Sequence, residues 1–181
     1  MKRIFRVLLL VWGGLSLAAT ISVAAYVGYQ LKFGNQPKAN STSPQDVRFV
    51  LNWCRLGDNR IKQVIHSYES SRSFTGDYLD AYAIKISHVD TSELKPPENE
   101  SRSGWYRCDQ LPPVVSAALD YVAGYSGWEQ ISWFPKPAEL RSHNFYVYPW
   151  SIYFHGVDAT AAELIFVRPS DNMVFYIGSK T

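Results

Sequence analysis

The feature that most constrains this chain is an uncharged run from Val7 to Leu31, flanked by Lys2, Arg3 and Arg6 in front and by Lys32 behind. As an α-helix rising about 1.5 Å per residue it reaches roughly 37 Å, enough to cross a hydrocarbon layer of about 30 Å with some tilt. Its few hydroxyls, Ser16, Thr20 and Ser22, can return to the helix backbone and so cost little in lipid. The chain is therefore expected to carry one membrane anchor, with everything that folds after it confined to one side.

Basic residues are retained on the cytoplasmic side, and three of them precede the run. The expected organisation is a cytoplasmic tail over 1–6, a transmembrane anchor over 7–31, a linker over 32–42 and an extracytoplasmic domain over 43–181. That describes a single-pass protein of the inner (plasma) membrane with a periplasmic or extracellular domain. Tyr26 and Tyr29 then fall at the outer interface, where amphipathic rings are favoured. The alternative is a cleaved signal peptide, since Val23 and Ala25 fit the small-residue rule for a cut after Ala25. Against it, the apolar run exceeds the roughly 7–15 residues of a signal core and continues past that point. Ser16, Thr20, Ala24 and Gly28 recur every fourth residue, a spacing that permits close helix packing but is common in anchors generally.

All 16 acidic residues lie after Lys32, whereas four of the 18 basic ones lie at or before it. The exported part thus holds fourteen basic against sixteen acidic side chains, and the overall pI near 8.5 reflects the membrane-flanking residues. Without a basic patch, no nucleic-acid partner is expected. Trp53, Trp105, Trp128, Trp133 and Trp150 supply large apolar groups that argue for a folded core. Cys54 and Cys108 are the only cysteines, and in an oxidising compartment they are expected to pair as a disulfide. No metal site and no cofactor is expected, because two thiols without clustered histidines do not make one.

Ser43 as N-cap, Pro44 and Asp46 in the first turn, and Val47, Val50, Leu51 and Cys54 at helical spacing predict a helix over 44–56, closed by Gly57. Ile61, Val64, Ile65 and Tyr68 repeat that spacing, yet their β-branched content makes a strand nearly equal. Tyr78 to Val89 alternates, with Leu79, Ala81 and Ala83 on one face and Tyr82, Ile84 and Ile86 on the other, a buried strand. A solvated loop follows over 90–103. Asp109 is placed to cap a helix containing Val115, Leu119 and Val122 that ends at Gly124. Strands over 144–155, 162–168 and 173–178 close the chain, the last two joined by the turn residues Pro169, Ser170, Asp171 and Asn172. The fold class is α+β: one N-terminal transmembrane helix, then two or three helices packed on one face of an antiparallel sheet.

Candidate chemistry is sparse. His88 with Asp90, and His155 with Asp158, are each candidates for half of a catalytic or metal-ligand arrangement, since a carboxylate orients an imidazole. No G-x-S-x-G nucleophile motif accompanies them. The segment 70–77 gathers hydroxyls, Gly76 and Arg72, a composition suited to an anion and equally to an ordinary turn. In 145–154, Tyr146, Tyr148, Trp150, Ile152 and Phe154 would share one face of a strand, an aromatic surplus that suits a contact surface, and Pro149 favours an edge. The expected function is a membrane-anchored interaction or ligand-binding module for an envelope partner, of the envelope-assembly or toxin-neutralising kind, with Tyr146, Tyr148, Trp150 and Arg72 as binding residues. The alternative is an anchored hydrolase that uses one of the His–carboxylate pairs.

Overall fold

A computed structural model describes residues 2–29, 32, 36–97, 104–125 and 127–181. The end of the expected anchor at Leu31, positions 33–35 of the linker, positions 98–103 of the solvated loop and Ser126 lie outside the described residues. The chain divides into two compact units, Met1–Gln36 and Pro37–Thr181. The first is helix α1, Lys2–Tyr29. Within it, Leu10–Tyr29 has a mean hydropathy of 1.7 over 20 residues, long and apolar enough to cross a membrane. Thr20 Oγ1 donates to the Ser16 carbonyl and Ser22 Oγ to that of Ala18, each at 2.9 Å, so both hydroxyls are satisfied inside the helix.

The second unit combines helices with a seven-stranded sheet whose pairings are all antiparallel. Its strands are β1 (Lys38–Ala39), β2 (Ile61–Glu69), β3 (Tyr78–Ile86), β4 (Tyr106–Arg107), β5 (Tyr146–His155), β6 (Asp158–Arg168) and β7 (Met173–Lys180). They lie in the order β1-β2-β3-β7-β6-β5-β4, so two meanders meet at β3 and β7 in the centre. Leu79, Ala81 and Ala83 enter one apolar layer and Tyr82, Ile84 and Ile86 the other, as the alternation in β3 predicts.

Helices cover both faces rather than the one expected. Helix α3 (Pro113–Ala123) packs Val115, Ala118, Leu119 and Val122 into the first layer, beside the short α4 (Pro137–Leu140) and its Leu140. Helix α2 (Arg48–Trp53) packs Val50 and Leu51 into the second. Central strands that are apolar on both faces need a cover on each.

Helix α2 is shorter than its sequence pattern, and its ends are built differently. The Ser43 N–H and Oγ both donate to Asp46 Oδ2, at 2.8 and 2.7 Å, which holds 43–46 as a turn ahead of the helix. At the far end Arg55 takes the left-handed position at φ +62°, its N–H donating to Asn52 O at 3.2 Å while the Leu56 N–H donates to Leu51 O at 2.9 Å. That is the paired-bond C-terminus in which glycine is usual, and here Arg55 rather than Gly57 occupies it. Asp109 does not cap α3; its Oδ1 accepts from Arg107 Nε at 2.6 Å.

Bulges explain two further departures. β2 shifts register between Ile61 and Gln63 and again between Val64 and His66, so Ile61 and Val64 reach the same layer although three apart. A bulge inserts one residue on one strand, and this converts period two into a helix-like spacing. In β5 the shift between Pro149 and Ser151 turns the chain over: Tyr146 and Tyr148 pack into the α2 layer, Ile152 and Phe154 into the α3 layer. The expected continuous aromatic face is thereby divided at Trp150. Strand β1 falls inside the expected linker and pairs Lys38 with Glu69 and Ala39 with Tyr68.

The expected disulfide is not formed. Cys54 and Cys108 are free and buried, Cys54 in the α2 layer and Cys108 in the α3 layer, with the sheet between them. Burial pushes both thiols up to about 12.

Candidate functional site

Directly opposed residues of an antiparallel pair share a face. The register therefore aligns Glu69, Asp80, Gly178, Glu163 and Ser151 in one row across β2, β3, β7, β6 and β5, on the α2 side of the sheet, with Lys38 of β1 opposite Glu69 at its end. Behind it runs the row Ser67, Tyr82, Tyr176, Ile165 and Tyr148, and in front the row Tyr78, Lys180, Ala161 and Tyr153. Three carboxylates thus lie across five adjacent strands, interrupted by a glycine.

Helix α2 places Phe49 and Trp53, one turn apart, beside this row. Phe49 meets Trp53 at 4.5 Å and Tyr176 at 5.6 Å, both edge to face. Trp53 stacks on Trp150 at 4.9 Å with the planes 4° apart, and Tyr82 stacks on Tyr176 at 5.5 Å. Phe49, Trp53, Arg72, Gly76, Tyr78, Asp80, Tyr82, Glu163 and Tyr176 line an open, shallow cleft of about 490 Å³. A second hollow of about 480 Å³ shares the Tyr78 and Glu163 walls and continues past Ser151, Tyr153 and Lys180.

Neutral hydroxyls surround two of the acids. Glu163 Oε1 accepts from the Tyr78 and Tyr176 phenols, each at 3.3 Å, and Oε2 from Ser151 Oγ at 2.7 Å. Glu69 Oε1 accepts from the Tyr82 phenol at 3.1 Å and from Thr42 Oγ1 at 3.2 Å. Burial first, and the adjacent carboxylates second, raise all three phenols, which keeps them protonated as donors.

Asp80 differs. Its Oδ2 accepts from Arg72 Nη2 at 2.6 Å, and that guanidinium lies 4.2 Å over the Tyr78 ring. Its Oδ1 is buried with no hydrogen-bond partner. Burial lifts the Asp80 carboxyl to about 6, although Arg72 pulls the other way.

Gly178 is the floor between Asp80 and Glu163. A Cβ there would stand 2.5 Å from the Tyr176 hydroxyl, so the bare backbone gives the phenol room to reach Glu163.

Of the residues singled out from sequence, Arg72 lies in the cleft and Trp150, 42% exposed, stacks against its Trp53 wall. Tyr148 is core, 3% exposed and edge-on to Trp105 at 5.4 Å; Tyr146 is half-buried. His88 is exposed, and Asp90 closes the 3₁₀ turn Thr91–Glu93 by accepting from the Ser92 N–H at 2.8 Å. His155 and Asp158 face each other, exposed, at the β5–β6 hairpin. The register puts these two pairs at opposite ends of the sheet.

The 70–77 segment closes on itself. The Gly76 N–H donates to Ser73 O at 3.0 Å, the Asp77 N–H to Ser73 Oγ at 2.7 Å and Thr75 Oγ1 to Asp77 Oδ2 at 2.7 Å. Among the described residues no group of three or more metal-ligating side chains converges.

Glu69, Asp80, Glu163, Tyr78 and Tyr176 were not legible as a site. The signal that could have found two of them is a carboxylate in the interior of a largely apolar strand, Asp80 in β3 and Glu163 in β6. Compared with known proteins, the chain matches no family model, no curated protein and no solved structure.

Proposed function

We propose that this protein is a single-pass, membrane-anchored binding module, with its N-terminus cytoplasmic and its α+β domain outside the cytosol, that engages a ligand or envelope partner through the acidic cleft beside α2. The basic residues Lys2, Arg3 and Arg6 ahead of the apolar helix support the orientation. The observation that supports the binding role is the cleft itself: Asp80 and Glu163, two carboxylates of one cross-strand row, beneath the rings of Phe49, Trp53, Tyr82 and Tyr176 and beside the Arg72 guanidinium. Binding pockets combine apolar walls with a few convergent polar groups, and this one does so. His88 and Asp90 lie at the other end of the sheet, and His155 and Asp158, at the β5–β6 hairpin, do not line the cleft.

A periplasm-active reporter fused after Thr181 tests the orientation: activity is expected, and a silent reporter with a fully expressed fusion would reverse it. For binding, the full chain is recovered from membranes with its partners in parallel with the Glu163→Gln and Trp53→Ala variants. Partners that depend on the cleft should be lost from both variants. An identical set in all three, together with turnover of a generic ester or glycan substrate, would replace this reading with the hydrolase one.

A further inference from the structure

The two hairpins at one end of the sheet each present a large apolar side chain to solvent. Phe74, in the β2–β3 turn, is fully exposed, and Val157, in the β5–β6 turn, is 88% exposed. Neither is needed to make its turn. Gly76 at φ +85° and Gly156 at φ +63° supply the left-handed positions, and Ser73, Thr75 and Asp77 close the first loop through their own hydrogen bonds. Turn tips are ordinarily polar, and an apolar group held in water there contributes nothing to the fold.

Single exposed apolar residues are common, so their distribution matters more than their presence. Among the described residues of the domain, the three most exposed large apolar side chains are Phe74, Val157 and Tyr153, the last 64% exposed at the end of β5. The other two, Trp150 and Ile65, lie mid-strand and are less exposed. Tyr78, Lys180, Ala161 and Tyr153 form one row, and both tips lie past it, roughly 14 Å apart for strands spaced about 4.8 Å. Tyr121 joins this end, its hydroxyl donating to Thr160 O at 2.7 Å. At the opposite end the turns are tied by the Arg60–Glu93 and Arg168–Asp171 ion pairs, at 2.6 and 2.9 Å. No large apolar side chain is exposed there among the described residues.

The chain enters the domain at the apolar end. β1 starts at Lys38, opposite Glu69, the last residue of β2 before the turn that carries Phe74. Eight residues separate Lys38 from Tyr29, the last residue of α1, a span of at most about 30 Å. An apolar surface tethered this closely to a bilayer meets lipid at high effective concentration, so two side chains of modest affinity suffice to hold it. The charges at this end are of both signs, Lys38 and Lys180 with Asp77 and Asp158, so the attraction is apolar and needs no anionic lipid. Tyrosine rings with one polar edge suit the headgroup level.

Resting on the anchor proposed above, we infer that this end of the domain lies on the lipid surface of the membrane that anchors it, with Phe74 and Val157 dipping into the interface and Tyr153 among the headgroups.

The test uses the full chain in vesicles of phosphatidylcholine alone, carrying Phe74→Cys or Val157→Cys, each of which keeps the other tip, or Ser170→Cys as the control at the far end. Cys54 and Cys108 are buried, so the introduced thiol is the one that reacts. All three positions are exposed and the variants should keep the parent's circular dichroism. A membrane-impermeant maleimide should alkylate the thiols at 74 and 157 roughly tenfold more slowly or worse than that at 170, each rate referred to the same thiol in the urea-unfolded chain. A bimane attached at either tip should be quenched by lipids spin-labelled in their acyl chains, and one at 170 should not. Adding Phe74→Ser to the Val157→Cys chain should lower the docked population about tenfold and speed its alkylation accordingly, the shift expected for withdrawing one phenylalanine ring.

Equal alkylation at the three positions, with no acyl-chain quenching at either tip, would overturn the inference. Tips that are free in phosphatidylcholine and shielded only in native membranes would overturn it too, and would assign the patch to a protein partner. Flotation after alkaline extraction separates the docking from the anchor. A chain that floats with its tips exposed loses only the docking, whereas a chain that fails to float loses the anchor and the docking with it.

Discussion

Replacing Asp80 with Asn should make the folded domain more stable at neutral pH, against the usual direction of substitutions at buried positions. Burial lifts this carboxyl from 3.8 to about 6 even with Arg72 bonded to it. An acid whose pKa is higher in the folded state favours folding while it is protonated. Its contribution is whole below about pH 3.8 and is lost as the pH rises through about 6. At about 1.36 kcal/mol for each unit of displacement, the charged form costs the fold about 3 kcal/mol above that range. The side chain is 11% exposed, so solvent screens little of this. Asn reproduces the shape and neutrality of the protonated acid. Asp80→Asn should thus gain up to about 3 kcal/mol at about pH 7.5, or roughly 6–12 °C in Tm for a domain of this size, and nothing near pH 3.5. Urea unfolding of the full chain in micelles, followed by tryptophan fluorescence between about pH 4 and 8, measures it. The readout is the difference between variant and parent, because Asp46, Asp77, Asp90, Glu93 and Asp109, held low by hydrogen bonds, give the parent's own curve an opposite slope. A variant less stable than the parent at about pH 7.5, or a difference that does not grow from pH 4 to 7, would show that the Arg72 pair outweighs burial and refute the reasoning.

Gly178→Ala should cost about 1–3 kcal/mol, because the new methyl group meets the Tyr176 hydroxyl at 2.5 Å, and the loss should shrink when combined with Tyr176→Phe in a double-variant cycle. Arg55→Gly should gain about 0.5–1 kcal/mol in urea midpoint at unchanged slope, since Arg55 is exposed and sits at φ +62°, where a Cβ is penalised. Cys54 and Cys108 should react with a maleimide only after denaturation and leave gel mobility identical with and without reductant. A reductant-sensitive shift abolished by Cys54→Ser would restore the bridge.

The parts of the fold read correctly from sequence are those where a local rule operates without interference. β3 alternates because no bulge interrupts its pairing with β7, and Asn172 at φ +52° ends the turn before β7 as its residue type suggests. The misread parts each contain an extra residue or an unexpected partner. The bulges in β2 mimic a helical period, and the one at Trp150 turns an apparently one-sided aromatic strand over halfway along. Asp46 and Asp109 looked like ordinary participants in helix caps, yet one is held by Ser43 ahead of its helix and the other by Arg107. The cysteine pairing rested on compartment and count alone, and neither reveals that a sheet separates the two layers.

The cleft is harder to read for a reason that is geometric rather than statistical. Its row joins residues 69, 80, 151, 163 and 178, which are dispersed along the sequence rather than gathered in one segment. Only the antiparallel register converts those positions into neighbours, and a slip of one residue in β6 would turn Glu163 to the α3 layer and break the row. The apolar residues around the acids fix that register: Leu164 and Phe166 must face one layer and Ile165 and Val167 the other. The same burial that sets the register makes the charge on Asp80 costly. A side chain that weakens the fold where it stands, beside a glycine that leaves its neighbour's oxygen within reach, is expected at a site kept for binding rather than for stability.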